Sequence, residues 1–596
     1  MKQGKRALMI IQLFFFVSGC MNQNEPQLRS EYSAGSNGKV YGGSYSYSVS
    51  IPIESLDPIN ISDASSITLA HQIFELLVDL DSKTLQLTPE LAKSWTIEDG
   101  GTTYTFTLRD SVYFHQDNCF PQGVVRAVSA EDVKFSFERV CNPRYSPVGF
   151  YVFKDIVYGA TEFYEEQKAA LEQGREPRIN EVKGFEVVDR LRFRIRLNKP
   201  FGPFLMTLTN GFCYIVPKEA VLFYGENFGR HPVGTGPFMI KEMGVKENGI
   251  TKSILIKRND GYWGKDEFGN SLPFLNEIRV SYIPDRGMQQ AEFKKGNLLE
   301  SSGLPGDIRS LWLDETGLRL SPEYQRDFRY QWVPALATEF LGLHVMQAPF
   351  TDVKVRQAIA FAINRELLER TELKGEGVAA NFGFTPPTMP KYRASLIKGF
   401  KYDPNQAKKL LAQAGFPNGK NFPELILHIP ANSEKTLRIA RAIERMITET
   451  LSIRVSIRQI EWAELNRSIE SGKVAFYKQE WVADYAEPQN FLNLYYGKLL
   501  PKNPDERSFP NMQRYNSPQF NSIYEKALST PNDSLRYKLY QQAEQIAVDD
   551  ASLVILTYPK EERVLHAEVR DNPLNAMSRN DYKWVWLDRL DSIKKK

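Results

Sequence analysis

Strand-like and helix-like patterns alternate along almost the whole chain. Residues 191–197 (LRFRIRL) alternate apolar and basic side chains with a period of two, which is typical of a half-exposed β-strand. The same period predicts strands at 104–108, 251–257 and 277–283. Apolar residues at helical spacing predict helices at 130–140, 353–370, 404–414, 435–451 and 534–548. Together they predict a large α/β protein, and the sequence shows no repeat that would indicate a solenoid or a propeller.

The composition is that of an ordinary globular protein. The chain has 596 residues, of which 42% are hydrophobic and 25% are charged, so disorder, collagen and coiled coil are excluded for most of its length. At roughly 100–200 residues per domain, this length predicts several domains or one large fold with insertions. Lys and Arg number 75 against 72 Asp and Glu, and this near-neutral balance gives no electrostatic basis for binding nucleic acid.

The sequence lacks the compact motifs of common enzymes and metal sites. Its six histidines are far apart, so no HExxH or similar metal-binding spacing is present. The phosphate-binding pattern GxxxxGK[ST], the CxxC pair and the nucleophile motif GxSxG are also absent. We therefore expect no metal site and no cofactor, and an enzyme is disfavoured, although catalytic groups can also converge from distant positions.

The first 20 residues are typical of an export signal. A basic start (1–6) precedes an apolar run at 7–17 (ALMIIQLFFFV), which is shorter than the roughly 20 apolar residues that span a bilayer. The run ends in Val17-Ser18-Gly19-Cys20, which resembles a bacterial lipobox. This predicts a lipoprotein signal peptide at 1–20, lipidation of Cys20 and a flexible polar tether at 21–40. The alternative is an ordinary secretory peptide with a chance cysteine.

Export would place the other cysteines where disulfides persist. Apart from Cys20, the chain contains Cys119, Cys141 and Cys213. Either Cys119 and Cys141 form a bridge, or all three are free thiols, since an odd count leaves at least one unpaired.

Several motifs together identify a family. The chain resembles the family 5 extracellular solute-binding proteins of ABC importers, the group of the dipeptide- and oligopeptide-binding proteins. The resemblance runs from about residue 45 to the C-terminus. Eight segments match in the order of the family: 55–58 (SLDP), 91–95 (LAKSW), 105–114 (TFTLRDSVYF) with 129–133 (SAEDV), 234–238 (GTGPF), 259–263 (NDGYW), 350–365 (FTDVKVRQAIAFAINR), 402–415 (YDPNQAKKLLAQAG) and 481–492 (WVADYAEPQNFL).

The resemblance implies two α/β lobes joined by a hinge, the large peptide-binding class of the type II periplasmic-binding-protein fold. It places lobe I at 41–75, 150–285 and 564–596, an inserted subdomain at 76–149, and lobe II at 286–563. The implied activity is capture of a solute between the lobes and its delivery to ABC permease subunits by a monomeric, extracytoplasmic protein. The lipid anchor would hold it on the periplasmic side of a Gram-negative membrane or on the outer face of a Gram-positive plasma membrane.

The resemblance also implies where a peptide would bind. In oligopeptide-binding members, the Asp of the WxADY motif, here Asp484, pairs with the α-amino group of the peptide. Lys478 lies where some members bind the peptide carboxylate. Further candidates are the aromatic pocket walls Trp481 and Trp462, the extended residues 479–482 including Val482, the facing edge at Asp63 and Ala64, and the weaker pocket candidates Thr235 and Tyr262.

The sequence departs from the family at two places near these candidates. Glu480 stands where oligopeptide binders usually have Gly, and this acid either narrows the cleft or favours a basic ligand. The stretch 117–126 (DNCFPQGVVR) is longer than the usual loop.

Peptide capture is thus the leading hypothesis, and two others stay open. The same fold could bind a muropeptide, a nickel chelate, haem, an opine or an oligosaccharide. A surface hydrolase or an adhesin-like lipoprotein is the third alternative, with Asp484 and Glu487 as a carboxylate pair.

Overall fold

The computed structural model describes residues 32–61, 63–122, 124–145, 148–244, 246–247, 250–304, 306–431, 433–503 and 506–589. The predicted signal peptide and Cys20 lie outside the described residues. Among the described residues, no helix combines the length and apolar character needed to cross a membrane.

The described part of the chain contains 24 strands and 15 α-helices. The strands are β1 Tyr32–Ala34, β2 Val40–Gly42, β3 Ser44–Val49, β4 Val78–Leu80, β5 Leu87–Pro89, β6 Ala92–Glu98, β7 Thr103–Leu108, β8 Phe185–Asp189, β9 Arg192–Arg196, β10 Phe238–Glu242, β11 Lys246–Glu247, β12 Ile250–Thr251, β13 Ser253–Arg258, β14 Glu277–Tyr282, β15 Glu300–Ser302, β16 Phe328–Pro334, β17 Ala337–Leu343, β18 Gly377–Ala379, β19 Leu425–Pro430, β20 Val455–Ile460, β21 Phe476–Val482, β22 Leu553–His566, β23 Val569–Arg570 and β24 Trp586–Leu587.

The helices lie between these strands. They are α1 Ala64–Ala70, α2 Ala130–Val140, α3 Ala160–Gln173, α4 Phe204–Thr207, α5 Lys218–Tyr224, α6 Arg286–Lys294, α7 Gly306–Trp312, α8 Val353–Ala362, α9 Arg365–Leu368, α10 Pro404–Gln413, α11 Glu434–Leu451, α12 Trp462–Glu470, α13 Pro488–Leu492, α14 Pro518–Leu528 and α15 Asp533–Asp549.

Lobe I is built on two four-stranded sheets that share one apolar core. One sheet has the order β10-β13-β14-β3, and the other has the order β6-β7-β9-β8. Phe137 of α2 packs against Phe185 and Phe193 of the second sheet, and the same core continues to Ile278 of the first sheet. The second sheet draws strands from both sides of residue 149, whereas the predicted subdomain ends there; the domain boundaries stay predictions.

Lobe II is built on one large sheet that is covered on both faces. Its order is β15-β22-β17-β21-β19-β20, with β16 and β18 also paired to β22. Every residue of β17 is buried, as expected for a strand with helices on both faces. Phe340 points into a core shared with α12–α15, and Leu341 points into a core shared with α8, α10 and α11.

A buried polar network lies where the chain crosses between the lobes. Arg563 of β22 is 2% exposed, and its guanidinium lies 3.5 Å from the Glu300 carboxylate. Tyr45 of β3 donates to the same carboxylate at 2.7 Å, and Arg563 also donates to the carbonyl of Asn572 at 2.6 Å. The network therefore ties the first sheet of lobe I, both crossing segments and the C-terminal return together.

Most predicted elements form close to their predicted bounds. The strands and helices predicted at 104–108, 191–197, 277–283, 130–140, 404–414, 435–451 and 534–548 correspond to β7, β9, β14, α2, α10, α11 and α15. The single helix predicted at 353–370 is wrong, because Ile363 and Asn364 are extended and separate α8 from α9. Arg365 stabilises this break by donating to the carbonyls of Ala360, Ile363 and Phe400.

The structure has no bridge between Cys119 and Cys141: both thiols are free, as is that of Cys213. This arrangement corresponds to the alternative with three free thiols. The loop that carries Cys119 leads to the start of α2 and is joined there through Arg126 and Asp132. Cys141 directly follows the end of α2 and is buried in the core of lobe I, whereas Cys119 is only partly buried against that core.

Loss of the Arg563 guanidinium is expected to destabilise the whole fold. Arg563→Met leaves the buried Glu300 carboxylate without its cation, which costs about 3–5 kcal/mol of unfolding free energy. Chemical denaturation measures this difference. Arg326 is the matched control, since its side chain is 91% exposed and Arg326→Met should change stability by less than about 0.5 kcal/mol. Equal unfolding free energies for the two variants would contradict this role of the network.

Candidate functional site

The candidate site lies at one edge of the large sheet. Strands β20, β19 and β21 run parallel in that order, so their carboxyl ends meet at the same edge. Trp462 follows the end of β20 by two residues, and Asp484 follows the end of β21 by two residues. A crevice outside the carboxyl ends of parallel strands is where open α/β sheets bind ligands.

Strand β21 is paired over its full length on one side and at a single residue on the other. It pairs with β17 over its full length, from Leu343↔Phe476 to Ala337↔Val482, whereas it pairs with β19 only at Tyr477. Pro430 ends β19, and proline has no N–H with which to continue the pairing. Among the described residues, no strand pairs with residues 479–482 on the side away from β17.

The register shows which main-chain groups face that open side. The N–H of Ala483 donates to the carbonyl of Leu336, and antiparallel ladders alternate hydrogen-bonded and non-hydrogen-bonded pairs. The N–H and C=O groups of Gln479 and Trp481 therefore face β17. Those of Glu480 and Val482 point to the open side, where an added strand could bind them.

Asp484 lies directly beyond this open side. Its residue surface is exposed, its carboxylate accepts a hydrogen bond from Asn490 Nδ2 at 3.3 Å, and the Tyr151 hydroxyl lies nearby. Protein atoms surround the carboxyl group closely enough that burial raises its pKa, although the polar groups of Asn490 and Tyr151 oppose the shift. Asp484 is thus a partly desolvated carboxylate at the end of β21, and among the described residues no lysine or arginine forms an ion pair with it.

Tyr151 brings lobe I to this carboxylate. It lies in the 3₁₀ turn Val148–Val152, and Asn210 Nδ2 donates to its hydroxyl oxygen at 3.0 Å. Because that oxygen accepts from Asn210, its hydrogen is available for Asp484. Phe212 packs edge-on against the Tyr151 ring at 6.1 Å between centroids. Sequence analysis missed Tyr151 and Asn210 because neither belongs to a motif, and only the tertiary fold brings them to Asp484.

Trp481 and Val482 are both at the site. Trp481 is half-buried on the α12–α15 face of the sheet, where its indole N–H donates to Asn490 Oδ1 at 2.9 Å. Its ring lies 5.9 Å from that of Phe509, and Phe509 is itself 59% exposed. Val482 is 59% exposed. These side chains provide apolar surface beside Asp484, as ligand pockets do.

Lys478 is paired within the protein. Its side chain is buried, and its Nζ lies 3.3 Å from Glu339 Oε1. The Thr557 hydroxyl donates to the other oxygen of Glu339 at 2.7 Å. Contact between Lys478 and a ligand carboxylate stays a prediction.

The remaining candidates on lobe II and at the facing edge are spread out. Trp462 begins α12 and is 52% exposed. Asp63 is extended, but its carboxylate caps α1 by accepting the N–H of Ser66 at 2.8 Å, and Ala64 is already the first residue of that helix. Ligand contacts of Trp462, Asp63 and Ala64 stay predictions.

Thr235 and Tyr262 lie together in the interior of lobe I. The Tyr262 hydroxyl and the Trp263 indole N–H each donate to Glu75 Oε1 at 3.0 Å, and Thr235 is 1% exposed beside them. Burial raises the pKa of Glu75 to about 7. The structure thus places both residues around a buried carboxyl group, and their contact with a ligand stays a prediction.

Comparison with known proteins identifies the class of protein. The family model described as "Bacterial extracellular solute-binding proteins, family 5 Middle" matches residues 86–500. The dipeptide-binding protein of Escherichia coli (strain K12) is 26% identical over 532 residues, which cover 88% of this chain and 90% of that protein. Heme-binding protein A of Haemophilus influenzae is 27% identical and covers 81% of each chain.

A solved structure agrees over nearly the whole chain. The periplasmic binding protein DppA from Helicobacter pylori, in complex with the peptide STSA, superposes with a TM-score of 0.71 at 25% identity, and covers 92% of this chain and 99% of that one. The chain belongs to the family 5 extracellular solute-binding proteins. The predicted family and the predicted type II binding-protein fold are therefore confirmed.

The raised pKa of Asp484 predicts the sign of a stability change. A carboxyl group whose pKa is higher in the folded state makes folding less favourable as the pH rises through the interval between the two pKa values. Asp484→Asn is therefore expected to raise the unfolding free energy of the ligand-free protein at pH 7. The gain should shrink towards about pH 4, the ordinary pKa of Asp. Chemical denaturation of the wild type and of Asp484→Asn at pH 7 and at about pH 4 measures this difference in unfolding free energy.

Asp110 provides the control for this variant. It is a surface acid, 68% exposed and paired with Arg190, so Asp110→Asn should leave stability nearly unchanged at both pH values. An Asp484→Asn protein that is less stable than the wild type at pH 7 would contradict the account.

Proposed function

We propose that this protein captures peptides outside the cytoplasm and delivers them to an ABC import permease. The observation that carries the proposal is the open side of β21 followed at once by the Asp484 carboxylate. An extended peptide can pair its main chain with Glu480 and Val482. Its terminal ammonium then meets Asp484, where a charge-assisted hydrogen bond is strongest because water is partly displaced.

Closure of the two lobes would complete the site. Tyr151 of lobe I lies beside Asp484 and is itself held by Asn210, so a peptide ammonium bound there contacts both lobes at once. A ligand that binds both lobes favours the closed arrangement, and such hinge closure is a common response to ligand binding. The closed form is the one that we propose to dock, as a monomer, on the permease subunits.

The proposed action is capture without chemistry. Glu487, the second acid of the carboxylate pair considered for a hydrolase, is fully buried, and its carboxylate lies 2.9 Å from Arg536 Nε. Tyr537 donates to its other oxygen at 3.0 Å. A carboxylate engaged in this way is poorly placed to act as an acid or base on a substrate.

The names of two relatives support a peptide ligand, and the name of a third supports haem as the alternative. Two of them bear the names dipeptide-binding protein and DppA in complex with a peptide, and another bears the name heme-binding protein A. The open main-chain groups of β21 favour a peptide, because haem has no amide groups to pair with them. A muropeptide retains such groups, whereas a nickel chelate, an opine or an oligosaccharide does not present them in a strand.

Peptide binding should depend on Asp484. For a soluble form that starts after Cys20, we expect isothermal titration with trialanine to show binding that weakens about 10- to 100-fold in Asp484→Ala, because a charge-assisted contact contributes about 1.5–3 kcal/mol. N-acetylated trialanine removes the partner charge instead. The acetylated peptide should bind the wild type as weakly as free trialanine binds Asp484→Ala. Its affinity should be the same for the wild type and for Asp484→Ala.

Two results would contradict this proposal. One is equal affinity of the wild type for free and acetylated peptide. The other is a purified protein that carries a single non-peptide mass and whose melting temperature no peptide mixture raises. Asp110→Asn, at the exposed surface, is the control and should bind as the wild type does.

We also propose that the mature protein is anchored by lipid at Cys20. The apolar run at 7–17 followed by Val17-Ser18-Gly19-Cys20 supports this, and two or more acyl chains give stable membrane attachment. Cys20→Ser is expected to shift the protein from the detergent phase to the aqueous phase in detergent partitioning, and to abolish incorporation of labelled fatty acid. Cys119→Ser is the control, and a wild type that partitions with the aqueous phase would contradict the anchor.

A further inference from the structure

Glu480 stands on the open part of β21 and projects from the face of the sheet. In a strand, side chains stand perpendicular to the sheet while the main-chain groups lie in its plane. The Glu480 side chain therefore does not cover the open side of the strand, and an added peptide strand can still pair with its main chain. Of the two interpretations of this acid, narrowing of the cleft is disfavoured.

The surroundings of Glu480 leave its negative charge unmatched. Glu480 lies directly opposite Glu339 in the register of β17 and β21, and like charges in such a position repel each other. Lys478 is the nearest cation on the strand, but its Nζ pairs with Glu339 at 3.3 Å. Lys435 of α11 lies near, and its Nζ pairs with Glu376 at 3.4 Å.

Glu480 is therefore an acid whose neighbouring cations are already engaged. Among the described residues, no lysine or arginine forms an ion pair with it. Burial and then the Glu339 charge raise the pKa of Glu480, and Lys478 and Lys435 only partly oppose them. The residue surface is nevertheless exposed. A cation supplied by a ligand would remove the repulsion and find a partly desolvated partner, where ion pairs are stronger than at an open surface.

The geometry fixes where along a peptide that cation would be. Asp484 lies four residues beyond Glu480, and strands rise about 3.3 Å per residue. A peptide whose ammonium meets Asp484 can place its first residue opposite Val482, about 7 Å along the chain from Asp484. Its third residue then lies opposite Glu480 with the side chain on the same face of the sheet, whereas the side chain of its second residue lies on the other face. We propose that Glu480 selects peptides with a lysine or arginine side chain at the third position. This inference rests on the proposed function and names its substrate class.

Matched peptides test the proposal by titration calorimetry. Ala-Lys-Ala and Ala-Ala-Lys are compared with the corresponding norleucine peptides, which keep the alkyl chain and lack the side-chain ammonium. The wild type should bind Ala-Ala-Lys about tenfold more tightly than its norleucine counterpart, whereas Ala-Lys-Ala and its norleucine counterpart should bind about equally. Glu480→Gln should bring the ratio for Ala-Ala-Lys close to one, and Glu480→Lys should invert it. Melting temperatures verify that both variants are folded.

Glu449 is the matched control. It is an exposed acid near the end of α11, about 20 Å along the helix from Lys435, and Glu449→Gln should keep the wild-type ratio. Equal wild-type affinity for Ala-Ala-Lys and its norleucine counterpart would overturn the role of Glu480 while peptide capture stands. Failure of the folded wild type to bind any of the peptides would instead overturn the proposed function, and this inference with it.

Discussion

Main-chain hydrogen bonding is the constraint that organises the candidate site. Strand β21 lies inside the large sheet, yet β19 ends at Pro430 and pairs with it only at Tyr477. The N–H and C=O groups of Glu480 and Val482 are thus left without a strand partner on the side away from β17. Buried main-chain groups need partners, so closure of the lobes is favourable only when something in the crevice supplies them. An extended peptide meets that need whatever its sequence, and side-chain contacts then decide which peptides bind best.

Two of the contacts between the lobes differ in burial. One is a buried polar network where the chain crosses between the lobes, and the other is a water-accessible polar contact at the candidate site. At the crossing, Arg563, Glu300 and Tyr45 form a buried network that links strands of both lobes. At the site, the Tyr151 hydroxyl of lobe I lies beside the Asp484 carboxylate of lobe II. The contact at the site is polar and accessible to water, so a ligand ammonium can join it. The network at the crossing is buried and links the two lobes.

The sequence predicted elements well where local chemistry determines them. Helix α2 has its predicted bounds because Asp132 accepts the N–H of Ser129 and closes a capping box at its start. The break after α8 was not predictable, since Arg365 also donates to the carbonyl of Ile555, 190 residues away in sequence. The candidate site likewise combines residues that local sequence predicts with residues that only tertiary contacts bring together. Asp484 and Trp481 come from a motif, whereas Tyr151 and the free state of Cys119 follow only from the tertiary arrangement.

The most direct test of the account is hydrogen exchange at single-residue resolution along β21, with and without trialanine. The account predicts that the amides of Glu480 and Val482 exchange readily in the free protein and become protected when the peptide binds. The amides of Gln479 and Trp481, which face β17, should be protected in both states. Peptide binding that leaves the exchange of Glu480 and Val482 unchanged would contradict the account, because the ligand would then not complete the strand.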